Sequence, residues 1–378
     1  MNPLTPLPSK ATLADEDLAE QANPGHGVPS QDPDTAAQTP LEPQDVEREA
    51  NSVLIGGGAL AGAATGAAVG VAVAGPVGIL VGASLGAIAG AVGGGAAGAA
   101  ANSTDVGTAP ASSVRLHIED SGGDGRPVVL IHGWPLSAMA WEQQVLVLQG
   151  AGYRVVTYDR RGFGRSDKPD SGYSYDELAD DLQRVLDQCK LQNVTLVGFS
   201  MGGGEVARYV TRYGESLLHS VVFAAAVPPF LMKTADNPDG PLTPEAAQQS
   251  RRALEQDRNA FFEQFTEDFY SANGVFLVTE SQRSEAIALC QQSAQPAALA
   301  CMDAFSTTDF REDLKRLTVP TLVIHGDADG IVPFEGSGQR THSSVRHSQL
   351  VTVSGAPHGL NVSHAQAFND ALLTFLRE

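Results

Sequence analysis

The residues best placed to do chemistry are Gly198-Phe199-Ser200-Met201-Gly202. They close an apolar run, Asn193-Val194-Thr195-Leu196-Val197, and open a helix-like segment from Gly203 to Tyr209. A strand that ends in Gly-x-Ser-x-Gly and turns straight into a helix is a nucleophile elbow. So sharp a turn forces the serine into a strained backbone, and the flanking glycines let strand and helix approach without collision. The Ser200 hydroxyl is then lifted over the sheet edge, and the positive end of the next helix points at the reacting atoms. In a chain with 40 Gly the pattern alone is weak. The strand before it and the helix after it make it specific.

Ser200 needs a base, and the base needs an orienter. Of the nine histidines, His26 lies in a proline-rich arm, His132 in a tight loop after a strand, and His325 at a strand end. His358 sits in Ser354-Gly355-Ala356-Pro357-His358-Gly359, between the last strand and the last helix. Loops at strand carboxyl ends gather at one edge of a doubly wound sheet, which favours His358 as the base. Two acids compete for the orienting role in Gly326-Asp327-Ala328-Asp329-Gly330. Asp329, deeper in the loop, is preferred; Asp327 then reads as a turn residue bonding its own backbone. A tetrahedral intermediate also needs hydrogen-bond donors. The backbone N–H of Met201, just after the nucleophile, is one. The backbone N–H of Trp134, in the loop after Pro127–Ile131, is the second. The charged turn Asp159-Arg160-Arg161-Gly162-Phe163-Gly164-Arg165-Ser166-Asp167 lacks the lysine spacing of a phosphate loop and reads as a structural ion-pair network, with Glu205 structural too.

These residues need a scaffold. Strand-like runs cover Val114–Ile118, Pro127–Ile131, Arg154–Tyr158, Asn193–Gly198, His219–Ala224, Pro320–His325 and Gln349–Val353. Between them, Asp176–Cys189 carries Leu178, Leu182, Val185, Leu186 and Cys189 on one helical face, and a helix from about His364 to Leu376 closes the chain. Such alternation predicts an α/β fold: a mostly parallel, doubly wound sheet covered by helices. Residues 228–305 interrupt it with helices at Pro244–Gln256 and Asn259–Tyr270, as expected of a lid that walls a substrate pocket. The α/β domain is expected to span 112–378.

The first 111 residues read differently. Residues 1–50 hold ten acids, two bases and eight prolines, and are expected to be a disordered acidic arm. Residues 51–101 are almost all Gly, Ala, Val, Leu and Ile, with glycines at four-residue spacing from Gly58 to Gly70 and from Gly78 to Gly98. That spacing lines one helix face with small residues and predicts a glycine-zipper-like hairpin that associates with membranes or with itself. The competing reading is low-complexity Gly/Ala sequence, since glycine costs about 1 kcal/mol per helical site against alanine. Residues 102–111 read as a linker. The formal net charge of −20 argues against nucleic-acid partners. Cys189, Cys290 and Cys301 show no metal or disulfide spacing, and no secretory signal is visible. The expected location is cytoplasmic, with membrane association through 52–100 under the hairpin reading.

The domain resembles the cofactor-free haloperoxidases, or non-haem chloroperoxidases, of the α/β-hydrolase fold. The resemblance rests on His132-Gly133-Trp134-Pro135-Leu136-Ser137, Tyr158–Ser166, Gly198–Glu205, His325–Pro333 and Ala356–Gly359. It implies Ser200 as nucleophile, His358 as base and Asp329 as its partner, with no metal and no haem. The implied activity is hydrolysis of carboxylic esters through an acyl-serine. Hydrogen peroxide can replace water, with an ester or carboxylic acid as acyl donor, to give a peracid that oxidises halide. Pro135 matches perhydrolase-type members. The alternatives are a lactonase or carbon–carbon hydrolase on the same fold, and a membrane-associated assembly protein with this domain as scaffold. A dehalogenase would need aspartate at position 200. The N-terminal extension departs from the family's pattern.

Overall fold

The computed structural model describes residues 114–378. The expected acidic arm, glycine-zipper segment and linker lie outside them. Among the described residues, no helix is long and apolar enough to cross a membrane.

In chain order the elements are β1 (Ile118–Asp120), β2 (Pro127–Ile131), α1 (Glu142–Gly150), β3 (Arg154–Tyr158), α2 (Tyr175–Gln188), β4 (Val194–Phe199), α3 (Met201–Tyr213) and β5 (Leu218–Ala224). The segment expected to form the lid follows: α4 (Pro244–Gln256), α5 (Arg258–Tyr270), a small hairpin of β6 (Ser271–Ala272) and β7 (Val275–Phe276), α6 (Glu280–Gln291) and α7 (Gln295–Thr307). The chain then returns through α8 (Arg311–Leu314), β8 (Thr321–Gly326), α9 (Gly338–Ser344), β9 (Gln349–Val353), α10 (Leu360–Ser363) and α11 (Ala365–Leu376).

Seven strands form the sheet in the order β1-β3-β2-β4-β5-β8-β9. Every pairing is parallel except β1 with β3. The chain moves one way from β2 to β3, then reverses to β4 and β5. Because such crossovers are right-handed, the reversal puts α1 and α2 on opposite faces. A strand covered on both sides carries no polar alternation. Accordingly, all six residues of β4 are buried. The predicted strands recur within a residue or so, with one exception. Val114–His117 does not join the sheet, because its backbone is engaged by the loop after β3. The Arg115 and His117 N–H groups donate to the side chains of Asp167 and Ser166, and the Arg115 and His117 carbonyls accept from the Asp167 and Asp159 N–H groups. Pairing with β3 begins only at Ile118.

Helix α2 starts one residue before the predicted position. Ser174 accepts from the Glu177 N–H while the Glu177 carboxylate accepts from the Ser174 N–H, a reciprocal cap that fixes the start. Cys189 caps the other end, half-buried and packed against the core. The charged turn after β3 is the expected ion-pair network. Arg161 is paired with Asp181, and Arg165 with Asp159. Arg160 and Glu205 are both sealed from water and bridge the turn to α3. Tyr158 Oη donates to Glu205 at 2.6 Å, and Arg160 Nη2 donates to the His132 carbonyl at 2.6 Å. Burial pushes the Glu205 carboxyl upward, and Arg160 and Tyr158 oppose that shift.

A buried carboxylate stripped of its cation is strongly destabilising. Arg160→Met is expected to lower the unfolding free energy by about 3–5 kcal/mol, read from urea midpoints. Adding Glu205→Leu should recover part of that loss.

Candidate active site

The end of β4 delivers Ser200. Its backbone sits at φ 54°, ψ −119°, in the left-handed half of conformational space that non-glycine residues avoid. The surroundings hold it there. Its N–H donates to the Ala224 carbonyl at 2.9 Å, and its carbonyl accepts from Gly203 and Val227 at 3.1 Å. Close approach is required at two glycines. A Cβ on Gly202 would lie 2.7 Å from the Ile131 carbonyl, and one on Gly133 would lie 3.1 Å from the Ser200 Cβ. The loops after β2 and β4 thus pack backbone to backbone.

His358 comes from the loop after β9. Its Nε2 lies 2.9 Å from Ser200 Oγ, and its Nδ1 lies 2.7 Å from Asp329 Oδ2. All three side chains are almost wholly buried. Asp329 comes from the loop after β8. Its Oδ1 accepts from the Ile331 and Val332 N–H groups at 2.9 and 2.8 Å. Burial alone would push its carboxyl up. The His358 imidazole and the bonds from His325 and His358 outweigh burial and hold it well below the ordinary 3.8. Since the carboxylate can only accept, His358 carries its proton on Nδ1 and leaves Nε2 to accept from Ser200. Asp327 stands apart from this set: its Oδ1 accepts from the Gly355 N–H at 2.6 Å and so ties together the loops after β8 and β9.

Neither Trp134 nor Met201 gives its backbone N–H to an acceptor among the described residues. For Met201 this follows from its place at the first turn of α3, where N–H groups have no partner within the helix. Trp134 is oriented by His132. That ring receives the Arg160 N–H at Nε2, 3.0 Å away, so its own proton is on Nδ1 and donates to the Gly133 carbonyl at 2.8 Å. The Gly133–Trp134 peptide is planar, so fixing its carbonyl fixes the opposed Trp134 N–H. Burial, with the nearby Arg160 guanidinium, lowers His132 to about 3 and keeps it neutral.

Two features were not read from the sequence. His325, fully buried at the end of β8, lies with its Nε2 2.8 Å from the Val332 carbonyl and 3.2 Å from Asp329 Oδ2. A carbonyl cannot donate, so Nε2 carries the proton and also faces the carboxylate. The only signal in the sequence was the four-residue spacing to Asp329. Second, the His358 ring lies between Phe199 and Phe269, at 5.2 and 5.1 Å between centroids. Phe269 belongs to helix α5 of the expected lid segment, and its carbonyl accepts the Gly359 N–H at 2.8 Å.

Above Ser200 and His358 lies a cavity of about 780 Å³. Trp134, Phe261, Phe265 and Phe305 are among its walls, and the Trp134 ring meets each of these phenylalanines edge to face. Among the described residues, no cluster of His, Cys, Asp or Glu is arranged to hold a metal.

Comparison with known proteins agrees with this architecture. Residues 126–365 match the family described as the alpha/beta hydrolase fold. A non-heme chloroperoxidase of Kitasatospora aureofaciens is 40% identical over 68% of this chain and 94% of its own length. A bifunctional esterase/perhydrolase of Acinetobacter calcoaceticus is 38% identical over 70% of this chain and 96% of its own. The crystal structure of a bromoperoxidase from Bacillus anthracis, 50% identical, superposes with a TM-score of 0.69 over 70% of this chain and 96% of that one.

The depressed Asp329 carboxyl stabilises the fold in full where the unfolded chain would also ionise it, and in part below that. Its contribution is complete above the unfolded value and is lost as the pH falls toward the folded one. Asp329→Asn should therefore flatten the fall in urea midpoint below about pH 4 relative to the parent protein.

Proposed function

The chain belongs to the α/β-hydrolase fold family, and from that membership we propose that it is a cofactor-free serine hydrolase of carboxylic esters with perhydrolase activity, seated in residues 112–378. The observation that carries this reading is the continuous relay from Ser200 Oγ to His358 Nε2 at 2.9 Å and from His358 Nδ1 to Asp329 at 2.7 Å.

The step sequence is acyl transfer. Ser200 Oγ attacks the ester carbonyl as its proton passes to His358 Nε2. Asp329 stabilises the imidazolium through Nδ1 and fixes its orientation without taking the proton. The Met201 and Trp134 N–H groups bind the oxyanion. Collapse expels the alcohol, which takes the proton from His358, and leaves an acyl-serine. Water, deprotonated by His358, then attacks the acyl carbon; Ser200 leaves with the proton and a carboxylic acid is released. With hydrogen peroxide in place of water, the same step releases a peracid, which oxidises halide in solution. Homologues that include a chloroperoxidase and an esterase/perhydrolase support this pairing of reactions. The lactonase and carbon–carbon hydrolase alternatives use the same three side chains and differ in what the lid admits.

With nitrophenyl esters, the full-length protein should show a burst of one nitrophenolate per Ser200 when deacylation is slow. Ser200→Ala should abolish the burst and lower kcat by at least about 10³-fold. A folded variant that retained the burst would overturn the nucleophile assignment. Proline at 135 fixes the backbone beside the Trp134 donor. Pro135→Leu is therefore expected to shift the ratio of peracid to acid formed from one ester, measured by competition between peroxide and water.

A further inference from the structure

The charged groups around the cavity above Ser200 are of one sign. Its inner wall is apolar, formed by Trp134, Leu231, Phe261, Phe265, Met302 and Phe305 among others. Among the described residues, its charged lining is Asp257 and Asp268, both exposed on the α4–α5 side, and no lysine or arginine lines it.

The lid does hold arginines, but they are turned away. Arg251 is paired with Asp303 and Glu255. Arg252 bonds Gln248. Arg258 is spread over the Cys290 and Ser293 carbonyls and the Gln295 side chain, and lies over the Phe262 ring at 4.6 Å. The start of α5 could offer positive backbone dipoles to an anion. It too is occupied, since the Asp257 carboxylate accepts the Ala260 N–H at 3.0 Å. A carboxylate carried on the substrate away from its reacting carbonyl would therefore lose water, gain no cation and face two like charges.

Resting on the hydrolase reading above, we propose that this site takes esters whose acyl and alcohol parts are both uncharged and rejects those that carry a carboxylate. Hydrolysis of carboxylate-bearing lactones or esters is then outside its range. Selection comes from desolvation that no cation offsets, the polar lining being neutral amides and hydroxyls such as Gln249, Gln256 and Ser306. It is reinforced at longer range by the acidic rim, which lowers the local concentration of anions.

The test uses the full-length protein and two substrates with one leaving group and one chain length: nitrophenyl methyl adipate and nitrophenyl hydrogen adipate. They differ in a methyl group and a charge. The methyl ester is expected to have a kcat/KM higher by ~100-fold or more at neutral pH. Asp268→Lys replaces a rim acid by a cation at the last turn of α5, where the helix dipole favours it. It should narrow that ratio by about tenfold. Gln249→Lys, on the exposed side of α4, gives a second reading should the first variant not fold. Equal rates for the two substrates would overturn the proposal, as would a ratio that neither lysine moves. A different failure marks the underlying reading: if Ser200→Ala hydrolyses both esters as fast as the parent, the site is not a serine hydrolase at all.

Discussion

A carboxylate sealed from water holds this site together. Asp329 keeps its charge because the protein supplies hydrogens to replace solvent: two backbone N–H groups on one oxygen, and the His358 and His325 rings on the other. Much of the surrounding architecture follows from that need. The loop after β8 must curl back so that Ile331 and Val332 present their N–H groups. The Val332 carbonyl produced by the same curl holds the His325 proton in place. The loop after β9 must then bring His358 to the other side, with Asp327 tying the two loops through Gly355. One charge thus fixes the tautomer of His358, and the tautomer determines which nitrogen is left to accept from Ser200.

A second buried charge does comparable work on the opposite side of the serine. Arg160 and Glu205 neutralise each other where neither meets water. Their partners are not incidental to the site. Arg160 contributes its own N–H to His132 and its guanidinium to the His132 carbonyl, and His132 in turn fixes the peptide that carries the Trp134 N–H. The arrangement links a structural ion pair to the direction of a donor two loops away, with every proton on the path assignable from what its neighbour can accept.

The sequence revealed those parts of the site whose position depends on local grammar. Ser200, Asp329 and His358 each sit just past an apolar run, and a parallel sheet gathers such positions at one edge. Trp134 was legible for the same reason. The parts that escaped depend on a meeting of distant segments. The His325 ring is aimed by a loop that leaves β8 and comes back to it, so its neighbourhood to Asp329 is set by that loop's path. Phe269 lies in the lid and His358 near the chain end, and no periodicity links them. The entry into β1 was misplaced because hydrophobic pattern cannot show that Arg115 and His117 give their backbone bonds to a loop rather than to a strand.

The contact between Phe269 and His358 gives the lid an unequal inheritance. The last turn of α5 makes an edge-to-face ring contact and a backbone bond with the segment that carries His358, whereas α4 and the first half of α5 line the cavity, the latter packing on the Trp134 ring rather than on the imidazole. Substitutions in the outer part can change what is admitted while the imidazole stays aimed. Those in the final turn alter admission and the placement of the imidazole together. Recombination between relatives should therefore find its natural crossover inside α5, ahead of Phe269, and a chimera cut after it inherits a roof fitted to another protein's histidine.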